Sequence, residues 1–370
     1  MATTFLDRSL PQAIPASGSF HHLKPAKLDR NNPLSIVGSF LVLTDPLRPR
    51  RRFPKTTAYE LDDDLVHRLN LRLINRKFAD WTVAWIFQRL SLNEIVSDVR
   101  SVTFQHIRRL FEIAAGAHCQ RLDVTSARSL TDAVALVGIG ASVKLRNLQL
   151  TQCPLLSDSI FRLAISKLRR LECLKVGLCA KLSGRGLLAC LTATRFPASR
   201  LKELHLPEMK YVDDMLMDDI CKACFNLQHL NVRSVGLTND FLASVRRWNP
   251  NMLRLEAGEN NFSNEGLIAM VDTDKRRIQT PCLALVELDI SGAPGVDEKG
   301  ILAVCSAFSK TLQVLRLASL RERLSIRCLH TISQSLPFLK LLDLRFCTLV
   351  RPRDLRTLVF VQESPPEIMR

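Results

Sequence analysis

The sequence predicts an α/β solenoid, and three observations predict it. An apolar motif, Leu-x-x-Leu-x-Leu-x-x-Cys in Leu145–Cys153, returns to almost the end of the chain. Its copies open at Cys119, Leu145, Leu171, Leu201, Leu227, Met252, Leu285, Leu312 and Leu339. The intervals are 26, 26, 30, 26, 25, 33, 27 and 27 residues, the spacing of one supersecondary unit per repeat. Within each copy a period-two stretch gives way to a helical one.

Each element has its own reason. In Leu145–Leu150, Leu148 and Leu150 alternate with Asn147, Gln149 and Thr151, the pattern of a half-buried strand. A turn follows, then the helical stretch Ser157–Arg170 with Ile160, Phe161, Leu163, Ala164 and Leu168 on one side. Short polar residues open the helices: Thr131-Asp132, Ser157-Asp158, Thr238-Asn239-Asp240 and Ser263-Asn264-Glu265. Such side chains accept from the unpaired amides of a first turn. One unit cannot close its own core, so neighbours must stack to bury the leucines. The expected result is a leucine-rich repeat horseshoe of about nine repeats, strands on the concave face and helices outside.

Composition fits this reading. The chain has 370 residues, of which 46% are hydrophobic, enough for a sizeable core. Eleven cysteines would suggest disulfides in a small secreted protein, but no secretory signal peptide opens the chain. Cys153, Cys179 and Cys347 hold the ninth motif position, while Cys221, Cys224, Cys305 and Cys328 fall in helical stretches. They read as reduced, buried small hydrophobes of a cytoplasmic or nuclear protein.

Residues 1–60 are rich in Pro, Ser and basic residues without a sustained period, and read as a disordered basic segment. Their best apolar run, Leu34–Leu43, is too short for a membrane helix, which needs about 20 residues. Arg48-Pro-Arg50-Arg51-Arg52 reads as a solvated charge run, with a nuclear-import or nucleic-acid patch as the alternative.

Residues 61–97 form a helical segment with Leu65, Val66, Leu69, Leu71, Leu73, Ile74 and Phe78 at helical spacing. The plain reading is a cap that shields the first repeat. The run Leu69-Asn-Leu-Arg-Leu-Ile-Asn-Arg-Lys-Phe-Ala-Asp-Trp81, followed by Trp85-Ile-Phe-Gln-Arg-Leu-Ser-Leu92, resembles the C-terminal half of an F-box, particularly the fungal kind. That resemblance implies an adaptor-binding surface at Leu71, Leu73, Ile74 and Phe78. Residues 98–118 read as an amphipathic capping helix that opens a repeat domain running to 361. The repeats over 119–361 resemble the cysteine-containing leucine-rich repeats of F-box substrate receptors. Leu148-Gln-Leu-Thr-Gln-Cys-Pro-Leu-Leu-Ser-Asp158 and Ile220-Cys-Lys-Ala-Cys-Phe-Asn-Leu-Gln-His-Leu230 carry the likeness. Ala127, Met209, Val235, Asn260, Ala293 and Leu320 stand where the motif has cysteine, as small or apolar fillers of the same slot. Two repeats are over-length, around Thr192–Arg200 and Val271–Cys282, where insertions map to loops. A helix over Arg353–Val361 should close the last repeat, and residues 362–370, with Pro365-Pro366, read as a tail.

No phosphate-binding glycine loop, nucleophile elbow or His-Glu-x-x-His occurs, so the chain reads as non-enzymatic, without cofactor or metal. Cys221-x-x-Cys224 lacks a second pair at zinc spacing and reads as core. Alternation sends one column of side chains onto the concave sheet: Asp123, Gln149, Lys175, His205, Asn231, Glu256, Asp289, Arg316 and Asp343. A second column includes Thr125, Thr151, Arg233, Ser291 and Arg345. Partner binding is expected at Lys175, His205, Asn231, Arg233, Glu256, Asp289 and Arg316. His205 and His229, from neighbouring strands, should approach each other there, with no acid expected beside them. The formal net charge of +16 permits phosphate contacts, but two Tyr and three Trp supply few stacking platforms, which disfavours nucleic acid.

The expected function is recognition of one protein on the concave face. The resemblance narrows it to a substrate receptor of an SCF-type ubiquitin ligase, with a Skp-type adaptor and cullin complex as partners. The alternatives are a repeat scaffold without a ubiquitin link and a basic RNA-associated repeat protein.

Overall fold

A computed structural model describes residues 89–91, 119–126, 130, 139, 142–193, 197–271, 284–356, 358 and 366–369. Its strands are three residues long: β1 Arg89–Ser91, β2 Arg121–Asp123, β3 Asn147–Gln149, β4 Cys173–Lys175, β5 Glu203–His205 and β6 His229–Asn231. They continue as β7 Arg254–Glu256, β8 Glu287–Asp289, β9 Val314–Arg316, β10 Leu341–Asp343 and β11 Glu367–Met369. All lie in one sheet in sequence order, every neighbouring pair parallel. The helices are α1 Asp158–Ile165, α2 Gly184–Leu191, α3 Asp214–Ala223 and α4 Asn239–Trp248, then α5 Asn264–Val271, α6 Glu298–Ala307, α7 Ile326–Ser335 and α8 Pro352–Leu355. The chain is a leucine-rich repeat solenoid.

The middle residue of each strand from β2 to β10 is a leucine, and all nine are buried. They pair in register, Leu122 with Leu148, Leu148 with Leu174, and so on to Leu342 beside Leu315. Phe161, Ile220, Phe241 and Val304 of the helices join the same core. The first and third strand residues therefore point to the opposite, open face of the sheet.

Two strands exceed the nine expected. Leu90 and Ser91, read as the exit of the helical segment, belong to β1, which pairs with β2. Glu367–Met369, read as tail, forms β11 against β10. The reason is the same for both: an end repeat has a neighbour on one side only, and its open backbone edge takes up whatever strand-forming segment adjoins it. The closing helix is short, Pro352–Leu355, and Leu358 packs against the core. In α1, Ile165 is buried and Leu163 is 48% exposed, so the inward face is Phe161, Ala164, Ile165 and Leu168. The N-terminal segment, the F-box-like stretch with Leu71, Leu73, Ile74 and Phe78, the capping helix over 98–118 and the insertion core at 272–283 lie outside the described residues.

Helix entrances work differently from expectation. Ser157 and Thr238 stand at N-caps but accept no cap hydrogen bond, whereas Ser183, Asp213, Asp297 and Ser325 do. The carboxylates of the first helical turn reach sideways instead. Asp158 accepts from the Ser183 amide at 2.7 Å and its hydroxyl at 2.6 Å, and Asp214 accepts likewise from Thr238 at 2.9 and 2.7 Å. Asn239 accepts from the Ser263 amide and donates to its hydroxyl, and Asn264 accepts from the Asp297 amide. In these four repeats the start of one helix thus holds the N-cap residue of the next.

The ninth motif position has a similar cross-repeat role. The Cys153, Cys179 and Cys347 thiols donate to the carbonyls of Val124, Leu150 and Leu317, each one repeat earlier. Asn260, read as a small filler, is instead a buried polar hub. Its Nδ2 donates to the Val232 and Ala257 carbonyls, both at 2.9 Å, while Oδ1 accepts from the Gly236 and Leu237 amides at 2.8 and 2.9 Å. A buried amide is stable here because nearly all its valences are met.

A left-handed residue marks the turn after each strand from β2 to β10: Ser126, Gln152, Leu178, Glu208, Ser234, Glu259, Gly292, Ser319 and Phe346, with φ between 53° and 68°. That twist aims several of the turn amides at the next repeat, such as Gln152 N–H at the Gly177 carbonyl, 2.9 Å away.

Candidate functional site on the open face of the sheet

Two columns line the open face. The third strand residues run Asp123, Gln149, Lys175, His205, Asn231, Glu256, Asp289, Arg316 and Asp343, as the alternation predicts. The first residues add Glu203, His229, Arg254 and Glu287. Neighbouring parallel strands stand about 4.8 Å apart, so side chains at one register position touch.

The face is more closed than a wetted ladder. His205, Asp289 and Asp343 are buried, Lys175, Asn231, Glu256 and Arg316 half-buried, and only Arg233 of the expected partner-binding set is exposed. The cause is mutual cover. Arg233 pairs with Glu259 and stands 3.9 Å from the Asp289 carboxylate. Arg316 pairs with Glu287, which also faces Arg254 at 3.7 Å. The Arg345 guanidinium grips both oxygens of Asp343, at 2.6 Å for its closest contact. Two of these partners, Glu259 and Glu287, lie outside the two columns expected to meet a partner. Their signal was available, because each lies beside an arginine once the strands are placed in register.

Acid and base alternate along this stretch, so charge is balanced locally while the chain as a whole carries +16. For Asp343, burial pushes the carboxyl up, but the Arg345 hydrogen bonds outweigh that and leave it below the usual carboxylate range. The hydrogen bond to Glu259, ahead of any burial effect, raises the Arg233 guanidinium further.

The second centre lies on β5 and β6. The His205 and His229 rings meet edge to face with centroids 4.4 Å apart, as their neighbouring strands predicted. Acids do stand beside them, contrary to expectation. Glu203 is on His205's own strand two residues earlier, and its register partner is His229. Glu256 accepts from His229 Nε2 at 2.7 Å and from Asn231 Nδ2 at 2.7 Å. The His229 hydrogen bond, larger than the opposing burial, holds Glu256 below the usual range. Glu203 stands before the central leucine of β5, outside the column that follows it, and the repeat motif carries no signal for that position. One potential ligand atom each from Glu203, His205 and His229 lies within 4.8 Å of the others.

Burial pushes the His205 imidazole down to about 4, with the nearby Lys175 and His229 adding to the shift. Its Nε2 is buried and has no hydrogen-bond partner. Cys173, one strand away, is buried, and burial followed by the Glu203 carboxylate pushes its thiol up to about 12. The motif and helix cysteines belong to the core: Cys153, Cys221, Cys224, Cys305, Cys328 and Cys347 are buried thiols, and Cys179 is half-buried. Burial raises the Cys224 thiol to about 12 and Cys221 further. Among the described residues, no helix is long and apolar enough to cross a membrane.

No family model matches this chain, and no curated protein matches it. Solved structures do. An internalin, InlF of Listeria monocytogenes, is 15% identical over 72% of each chain, with a TM-score of 0.45. The Rad7–Elc1 complex of yeast contributes a chain 13% identical, covering 77% of this chain and 93% of that one, with a TM-score of 0.39. A leucine-rich repeat protein of Leptospira interrogans is 18% identical over 60% of this chain and 48% of its own, with a TM-score of 0.35. The fold assignment itself rests on the chain's own repeat register and its single parallel sheet.

Proposed function

We propose that this chain is a non-catalytic recognition protein that holds one protein partner on the open face of its sheet. The observation that carries the reading is the mosaic of paired charges, Arg233 with Glu259 and Asp289 and Arg316 with Glu287, over four adjacent repeats. Such a mosaic matches complementary charges on a protein and places carboxylates where a phosphate backbone would be repelled. The half-buried, mutually fixed side chains also supply a surface with little conformational freedom left to lose on binding.

The finer reading is a substrate receptor of an SCF-type ubiquitin ligase. Its support is the order of an F-box-like stretch followed by repeats with cysteine at the ninth position. In that reading Leu71, Leu73, Ile74 and Phe78 dock a Skp-type adaptor that links to the cullin complex, and the repeats hold the target. The test is co-purification of the full chain with a Skp-type adaptor. Retention that is lost on changing Leu73 and Phe78 to Asp supports the receptor role. A full chain that retains no adaptor overturns it and leaves the repeat scaffold.

A further inference from the structure

We propose that Glu203, His205 and His229 form a binding site for a zinc-class divalent cation on the open face. The three come together for a reason written in the strand geometry. Glu203 and His205 are two apart on β5 and so share a face, and His229 is the register partner of Glu203 on β6. Their ligand atoms already lie within 4.8 Å of one another. Ligands at about 2.0–2.1 Å from a tetrahedral ion stand about 3.4 Å apart, so side-chain rotations of roughly an ångström close the set.

A second observation points to a ligand independently. His205 is 8% exposed, yet its Nε2 makes no hydrogen bond. A buried polar atom without a partner is costly unless something occupies its lone pair or proton. A neutral imidazole beside another imidazole and a carboxylate offers that lone pair to a cation.

The surroundings also fit. The Glu256 carboxylate can only accept, so His229 Nε2 carries the proton between them and the neutral ring keeps its lone pair on Nδ1. Carboxylate–histidine–metal relays hold metal-binding rings in this way. Glu203 and Glu256 together balance a double positive charge, while Lys175, the register neighbour of His205, opposes it. Two imidazoles and one carboxylate suit zinc, cobalt or nickel, whereas calcium and magnesium call for six or more oxygens. Three protein ligands leave a fourth position open to water or to a group from a bound partner.

The test needs no partner and does not depend on the recognition reading. Metal-free full-length chain is dialysed against zinc chloride, and bound metal is counted by mass spectrometry. One zinc per chain is expected, together with a visible cobalt spectrum of tetrahedral type when cobalt chloride replaces zinc. His229→Ala and Glu203→Gln, both at half-buried positions that tolerate change, should each lower the affinity at least tenfold and remove the cobalt band. Lys175→Ala should tighten zinc binding a few-fold by removing a like charge. The proposal is overturned if the native chain retains no zinc. It is equally overturned if the His229→Ala, Glu203→Gln double variant retains as much as the native chain, which would place the metal on cysteines elsewhere.

Discussion

Asn260 donates its side-chain amide to the carbonyl of Val232, one repeat earlier, at 2.9 Å. The same side chain accepts from the amides of Gly236 and Leu237, so one buried residue ties a strand end to the turn of the preceding repeat. Asn260→Ala strands those groups and should cost about 3 kcal/mol, the penalty for two or three buried unpaired polar groups. Asn260→Cys keeps the donation that Cys153 and Cys179 make in their own repeats and should cost visibly less. Urea midpoints for the two variants decide this, and equal losses would mean the slot is filled by volume alone.

The strand register predicts a sharp contrast between adjacent residues. Leu148 is buried in the continuous core, so Leu148→Asp should cost several kcal/mol and melt neighbouring repeats with it. Gln149 lies on the open face, and its amide donates to the Thr125 hydroxyl at 2.8 Å. Losing that bond through Gln149→Ala should cost about 1 kcal/mol or less. Comparable thermal shifts for both variants would contradict the register.

The left-handed turn residues make a paired prediction. Ser319 is exposed with φ 60°, and Gly292 occupies the equivalent place with φ 68°. Ser319→Gly relieves backbone strain and should stabilise the chain by about 0.5–1 kcal/mol, while Gly292→Ala should destabilise it by about as much. A Cβ at Gly292 would also meet Glu259 Cγ at 3.2 Å, a contact a flexible side chain can yield. Denaturant titration of the two single variants checks the opposite signs.

Asp343 supplies the pH dependence. Its buried carboxylate, held by Arg345, ionises below the usual range, so its contribution to stability is complete above the unfolded value. That contribution fades as the pH falls below about 4 and the folded carboxylate takes up its proton. Asp343→Asn should therefore be less stable than the native chain at neutral pH, with the gap closing in acid. A gap that stays constant down to acid unfolding would assign the loss to packing.

Much of this was legible in the sequence. The intervals between Leu145 and its later copies set the number of central repeats, and alternation around Leu148 or Leu204 placed every third strand residue on the open face. Of the two end strands, β1 carries the apolar triplet Phe87, Leu90 and Leu92, but it lies inside the F-box-like run and opens 32 residues before Cys119, outside the usual spacing of 25–27 residues. Ile368 of β11 has Pro365 and Arg370 at the flanking motif positions. The burial of His205, Asp289 and Asp343 was also hidden. His229 covers His205 from the next strand and Arg233 reaches Asp289 from two repeats earlier, contacts that no single repeat displays, while Arg345 closes on Asp343 from two residues along its own repeat.

The most direct measurement of the central claim compares affinity capture by the native full-length chain with capture by the Arg233→Glu, Arg316→Glu double variant. Both baits are first shown to melt alike, and a salt titration on RNA is run in parallel. The recognition account predicts that one protein partner held by the native chain is lost from the double variant. Weak RNA retention, which depends on the net charge of +16, should be largely unchanged. A double variant that keeps every protein partner while losing RNA would contradict the account and make the open face a nucleic-acid site.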